Sequence, residues 1–192
     1  MIRELVQKTR SFRGFDSSYK VTESQLRDFV DCARLTASSM NIQPLKYYLA
    51  FSDEDVKTVL SLSKWAAALK DMHLPHPGKE PTAFIVICQD LSISPNTGTF
   101  QKDVGIVAQT ILLAASEQGL GGCCIGNFNK DKVKEALSLP QNVEVQLILA
   151  VGRPDEKIVL VEAKKEGSTA YYRDENDVHY VPKRALEQVL LN

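Results

Sequence analysis

Arg10-Ser11-Phe12-Arg13 places two guanidiniums around a hydroxyl within four residues. Such a set can grip a phosphate through charge-assisted, often bidentate hydrogen bonds. Taken alone, its plainer reading is a solvated basic patch. Pro182-Lys183-Arg184 adds two cations near the other end of the sequence, where the plainer role is a charged helix start. Ala37-Ser38-Ser39-Met40-Asn41-Ile42-Gln43-Pro44 carries side chains that both donate and accept hydrogen bonds. That mixture suits the edge of a flat heteroaromatic ring, and an ordinary turn uses the same residue types. Gly119–Phe128 is glycine-rich, so its backbone N–H groups can approach a ligand closely.

Several familiar chemistries lack their residues. Gly119-Leu-Gly121 opens like a dinucleotide loop, but Cys124 stands where the third glycine belongs. The glycines also follow a predicted helix and precede a strand, the reverse of the dinucleotide-binding order. No P-loop, GxSxG, HExxH or DFG set is present. His73 and His76 lie in a proline-rich loop with only Asp71 near them, a poor metal set, so no metal is expected. His179 sits in a polar stretch and reads as a surface or packing residue. Cys32, Cys88, Cys123 and Cys124 match no CxxC spacing. Adjacent residues of a strand project to opposite faces, so Cys123 and Cys124 read as reduced structural thiols.

The elements that must position these residues follow from periodicity. Ile2–Thr9 predicts a short helix. Thr22-x-x-Gln25 is a capping-box pattern opening a helix to about Leu35, with Leu26, Phe29, Val30 and Ala33 on one face. Lys46–Phe51 reads as a strand, Glu54–Leu62 as a helix and Trp65–Leu69 as a helical fragment. His73–Pro81 is a loop, with three prolines and a glycine. Thr82–Gln89 is the continuous apolar run of a fully buried strand. Phe100–Gln118 reads as the longest helix, apolar on most sides and therefore central, with Gly119 as its C-terminal cap. Gly121–Gly126 and Val143–Val151 read as strands around a helix at about Lys130–Leu137. The stretch after Pro154 is more polar and ends in a predicted helix, Ala185–Leu191.

Composition bounds the class. The 192 residues carry 23 basic and 24 acidic side chains, a formal charge of −1. That balance argues against nucleic acid as partner, since such domains carry a strong basic excess. No apolar run approaches the roughly 20 residues of a membrane span, and Met1–Arg10 has charge without an apolar signal core. A single domain over 1–192 is expected, with a core large enough to need no staple, in a cytoplasmic protein.

Six segments, in order and spacing, resemble the nitroreductase family of FMN-dependent oxidoreductases. They are Thr9–Phe15, Ala37–Pro44, Pro81–Ile87, Asp103–Gln109, Gly119–Phe128 and Val151–Pro154. The resemblance implies an α+β three-layer fold, with a central mainly antiparallel sheet flanked by helices, in an intertwined homodimer. It implies that Arg10, Ser11 and Arg13 hold the FMN phosphate and ribityl chain, joined by Lys183 and Arg184. Ser38, Ser39, Asn41 and Gln43 would meet the flavin from the partner subunit. Cys124, Ile125, Gly126 and Asn127 would run past its reactive edge, a backbone N–H facing N5. The implied activity is ping-pong hydride transfer from NADH or NADPH through FMN to a small acceptor such as a nitroaromatic or quinone. The chain departs from the pattern at Thr9, where many relatives have Arg, at Leu45 in place of Trp, and at Gly126-Asn127. Thr9 and the Gly126-Asn127 pair motivate the alternative of a non-catalytic flavin-binding store or sensor; a phosphate-ligand module that binds no flavin is a third possibility.

Overall fold

The computed structural model describes residues 1–192 other than 67, 68, 70, 71, 165 and 166. Helix α1 (Ile2–Lys8) leads to Thr9, and α2 (Glu23–Arg34) opens at Thr22. Thr22 Oγ1 accepts the Gln25 N–H at 3.3 Å, while the Gln25 side chain accepts the Thr22 N–H at 3.1 Å. The capping box forms as the sequence predicts. Leu26, Phe29 and Ala33 of α2 are buried.

Four strands make an antiparallel sheet: β1 (Leu45–Ala50), β2 (Ala83–Asp90), β3 (Gly121–Ile125) and β4 (Val143–Gly152). Their order is β1-β2-β4-β3, so β2 and β4 are central and β3 is an edge. Helices α3 (Asp53–Leu62), α4 (Gln101–Glu117) and α5 (Lys130–Ala136) complete the layers. Alternation along β2 explains its unbroken apolar run. Ile85 and Ile87 pack with Leu26 and Phe29 of α2 and Val104, Val107 and Ile111 of α4. Phe84 and Val86 face the other way, into a cluster with Val59 of α3 and Val133 of α5. Both faces of the sheet are therefore covered, giving the three-layer α+β arrangement. Gly119 ends α4 at φ +73°, a conformation that favours glycine. Ile106 departs from the uniformly apolar face expected of α4, being 41% exposed.

The chain beyond Pro154 differs from its expected polar run. Strands β5 (Ile158–Glu162), β6 (Tyr172–Arg173) and β7 (His179–Lys183) form a second sheet, ordered β5-β7-β6, with β5 and β7 parallel. The predicted helix Ala185–Leu191 is a single 3-10 turn, Leu186–Gln188. Leu186, Val189, Leu190 and Leu191 are exposed, so no packing offsets the cost of nucleating a longer helix. The suggested Trp65–Leu69 fragment includes residues outside the described ones, as does Asp71. No helix among the described residues is long and apolar enough to cross a membrane.

Candidate functional site

Residues from both ends of the sequence converge on one cleft of about 280 Å³. Arg10, Ser11 and Arg13 line it, with Cys124 of β3 and Lys183 of β7. Ser11 bridges to Gly122 in parallel, and the Phe12 N–H donates to the Gly122 carbonyl at 3.0 Å, so the loop after α1 extends the sheet at its β3 edge. Among the described residues, Arg10, Arg13, Lys183 and Arg184 take part in no ion pair. Arg184 follows the end of β7 and is not among the cleft-lining residues.

Backbone bonds fix the guanidiniums. Arg10 Nε donates to the Thr9 carbonyl at 2.6 Å and its terminal nitrogen to the Val6 carbonyl at 2.7 Å. Arg13 lies over the Tyr171 ring, 4.9 Å from its centroid, within cation–π range. Thr9 is buried, and its hydroxyl donates to the Leu5 carbonyl at 2.8 Å. It therefore serves the end of α1, and supplies no charge to the cleft.

A buried ionic hub stands behind the loop. Glu156 accepts the Arg13 and Gly14 N–H groups and pairs with Arg173, whose other terminal nitrogen reaches Asp177 at 2.8 Å. The Glu156 and Arg173 side chains are only 4% and 3% exposed. Beside them, His179 is buried and lines the cleft, its ring edge-on to Tyr171 at 5.3 Å. Burial, with Arg13 and Arg173 nearby, pushes its pKa down to about 4, so the imidazole is neutral at physiological pH. The surface or packing role read from sequence thus resolves to a buried residue. Glu156, Arg173 and Tyr171 lie beyond the reach of sequence reasoning, because nothing local marks contacts that form only when the second sheet brings distant segments together.

The Ser38–Gln43 segment lies at a different recess, lined by Ser38, Gln43, Leu45, Tyr47, Asp103 and Val107, which shares no lining residue with the Arg10 cleft. Buried Asp103 of α4 accepts the Ser38 hydroxyl at 2.6 Å and the Ser39 N–H at 2.9 Å. Gln43 Nε2 donates to Asn41 Oδ1 at 3.0 Å, and Met40, Asn41 and Gln43 all have positive φ. Within one chain this segment does not meet the cations.

Close approach explains the glycines of β3 differently from the sequence reading. A Cβ on Gly122 would stand 2.1 Å from the Ala150 carbonyl oxygen and 2.8 Å from Leu112, and one on Gly121 would stand 2.5 Å from the Phe12 ring. These two glycines admit protein neighbours. Gly126 has open space at that position, and it and Asn127 are exposed. Ile125 is buried in the core and can offer only backbone groups. As an edge strand, β3 leaves part of its backbone unpaired by the sheet. Burial pushes Cys123 up to about 11 and Cys124 upward as well, so neither thiol is an ionised nucleophile at neutral pH. Among the described residues no group of three His, Cys, Asp or Glu side chains could hold a metal ion.

Comparison with known proteins gives a consistent answer. The model of the nitroreductase family matches residues 6–153. The chain is 28% identical over 167 residues to the NADPH-flavin oxidoreductase of Vibrio harveyi, covering 80% of this chain and 65% of that protein. It is 26% identical over 181 residues to the oxygen-insensitive NADPH nitroreductase of Helicobacter pylori, covering 79% and 86%. Among solved structures, a nitroreductase family protein of Clostridium difficile superposes with a TM-score of 0.62 at 27% identity, over 80% of this chain and 84% of that one.

Proposed function

The chain belongs to the nitroreductase family, and from that membership we propose that it is an FMN-dependent NAD(P)H oxidoreductase acting on a small acceptor such as a nitroaromatic or quinone. The observation that carries the proposal is the convergence of Arg10, Arg13 and Lys183 on one cleft beside β3. A phosphate monoester carries a charge near −2 at neutral pH, and three cations that form no ion pair among the described residues suit it. The cleft, with the buried ring nitrogens of His179 hydrogen-bonded to none of the described residues, fits such a group.

FMN, when bound, would supply the redox chemistry, hydride acceptance from NADH or NADPH and two-electron delivery to the acceptor. The chain's own contribution is to bind and orient. Arg10, Arg13 and Lys183, with the Ser11 hydroxyl, hold the phosphate and ribityl end. Cys124 and Ile125 on the β3 edge, and Gly126 and Asn127 just past it, offer backbone groups to the ring's reactive edge. Open space at Gly126 leaves room for that approach.

The same reading calls for two chains. A cleft of about 280 Å³ is at the lower limit for a whole ligand, and Ser38 and Gln43 line a separate recess, with Ser39 and Asn41 in the turn between them. In a homodimer, that recess of one protomer would complete the cleft of its partner. Helix α1 has no buried residue, and Leu186, Val189, Leu190 and Leu191 are exposed, as an intertwined assembly requires. Each protomer would act as one FMN-binding domain, and the four free thiols suit a reducing, cytoplasmic location.

The test is anaerobic titration of the purified, FMN-loaded protein with NADH and with NADPH, followed at the flavin absorbance band. Bleaching at a rate that supports turnover is expected. Retained colour without bleaching would leave a flavin store, and protein that stays colourless after FMN addition and dialysis would end the flavin reading.

A further inference from the structure

His179 is the least satisfied polar group beside the cleft. Its imidazole is 1% exposed, and neither ring nitrogen has a hydrogen-bond partner among the described residues. A neutral imidazole carries one donor and one acceptor, and leaving such groups buried and unpaired is unfavourable. A hydrophobic residue would fill the position without that cost.

The backbone holds the ring in place from both sides. His179 sits on β7, the middle strand of its sheet, opposite Ile158 on β5 and Arg173 on β6. Its N–H donates to the Lys157 carbonyl at 2.9 Å. Tyr171 packs edge-on against the ring, and Arg13 covers the other partner of that pair. Arg13, Tyr171 and His179 therefore line the cleft as one packed set, and Lys183 lines the same cleft. Arg13, Arg173 and Asp177 are the charged groups acting on the imidazole, and the two cations, with burial, hold it neutral.

We propose that His179 is a ligand-binding residue of this cleft, donating a ring N–H hydrogen bond to the phosphate monoester held by Arg10, Arg13 and Lys183. The inference rests on the flavin-phosphate reading of the cleft and adds to it a neutral donor that reads the phosphate by direction. A neutral donor also avoids adding a further positive charge beside Arg13 and Arg173, so the cleft can bind an anion without burying a fourth repelling cation.

The test compares FMN with riboflavin, which has the same ring system and no phosphate. Affinities of the flavin-free protein for both are measured by fluorescence quenching in wild type, His179→Phe and His179→Gln. Phenylalanine keeps the ring's bulk and removes the donor, whereas glutamine keeps a neutral donor. The expected result is an FMN affinity about tenfold to a hundredfold weaker in His179→Phe, the range for a hydrogen bond to a charged group. Riboflavin affinity is expected to stay unchanged in that variant, and His179→Gln to recover most of the FMN affinity. In parallel, nitrogen-15 spectra of histidine-labelled wild type are recorded with each flavin, the His179 signals being those absent from His179→Gln. They are expected to shift with FMN and not with riboflavin. Equal losses for both flavins, no loss for either, or ring signals unmoved by FMN would overturn the assignment. Wild-type protein that binds FMN no more tightly than riboflavin would retire the phosphate reading itself. Tight FMN binding with an indifferent His179 retires only this proposal.

Discussion

Replacing Glu156 with alanine takes away the acceptor of the Arg13 and Gly14 N–H groups and the counter-charge of Arg173 together. Arg173 stays buried, with Asp177 at 2.8 Å as its remaining ionic partner. Because both side chains of the Glu156–Arg173 pair are almost fully buried, solvent does little to screen the loss. Breaking one side of a buried pair costs about 3–5 kcal/mol. With a urea m value of ~2–3 kcal/mol/M for a domain of this size, the unfolding midpoint should fall by ~1–2.5 M. Glu156→Gln keeps an oxygen acceptor for the two N–H groups and loses only the charge, so its midpoint should lie between the two. The double variant Glu156→Leu with Arg173→Met replaces the pair by apolar side chains and should recover most of the stability, since such swaps are often neutral. FMN affinity separates anchoring from bulk stability: it should fall in Glu156→Ala even at low temperature and without denaturant, because the Arg13 loop has lost its tether. A midpoint shift below ~0.3 M, the size expected of an exposed carboxylate, would refute the argument that this pair anchors the cleft.

The other predictions concern the cleft and its supports. Arg10→Ala combined with Arg13→Ala should weaken FMN binding by several kcal/mol, at ~1.5–3 per charged hydrogen bond, read as loss of flavin on gel filtration. Gly122→Ala forces a methyl against the Ala150 carbonyl and Leu112. Overpacking of that kind costs about 1–3 kcal/mol and should lower the melting temperature by ~2–12 °C. His179 titrates at about 4 in the folded chain against 6.5 unfolded, so between these values the unfolded state binds more protons. Its contribution is complete above pH 6.5 and is lost as pH falls toward 4, about 3 kcal/mol in all. Urea melts of wild type and His179→Phe across that range should draw apart as the pH drops, the wild type losing stability that the variant keeps; parallel curves would contradict the assignment.

Elements built from local rules were readable in the sequence. Thr22 and Gln25 announce α2 because both halves of the capping box lie within one turn, and Gly119 closes α4 through its own φ. The apolar run of β2 revealed a strand covered on both faces, although not which strands flank it. The second sheet was hidden because β5 and β7 pair in parallel across a long connection, and β7 mixes half-buried Tyr180 and Pro182 with exposed Lys183. For the site, the resemblance pointed to Arg10, Ser11, Arg13 and Lys183, which the structure gathers. It pointed equally to Arg184, which lies outside the cleft lining. His179 carried no signal at all, because its neighbours Tyr171 and Arg13 reach it only through tertiary packing. The glycines of β3 misled for the opposite reason: a small residue signals that something comes close, not whether that thing is ligand or protein.

Joining the loop after α1 to β7 has a consequence for the order in which the molecule is made. Arg10 and Arg13 leave the ribosome early, whereas Lys183 and His179 follow only after the rest of the four-stranded sheet has been synthesised. A nascent chain could thus fold α2, α4 and the sheet while its phosphate grip is still half built. Cofactor capture would then come last and act as a proofreading step, withholding its stabilisation from chains stalled before β7. Truncated chains would be left to the proteases, so the pool of flavin would go to full-length protein.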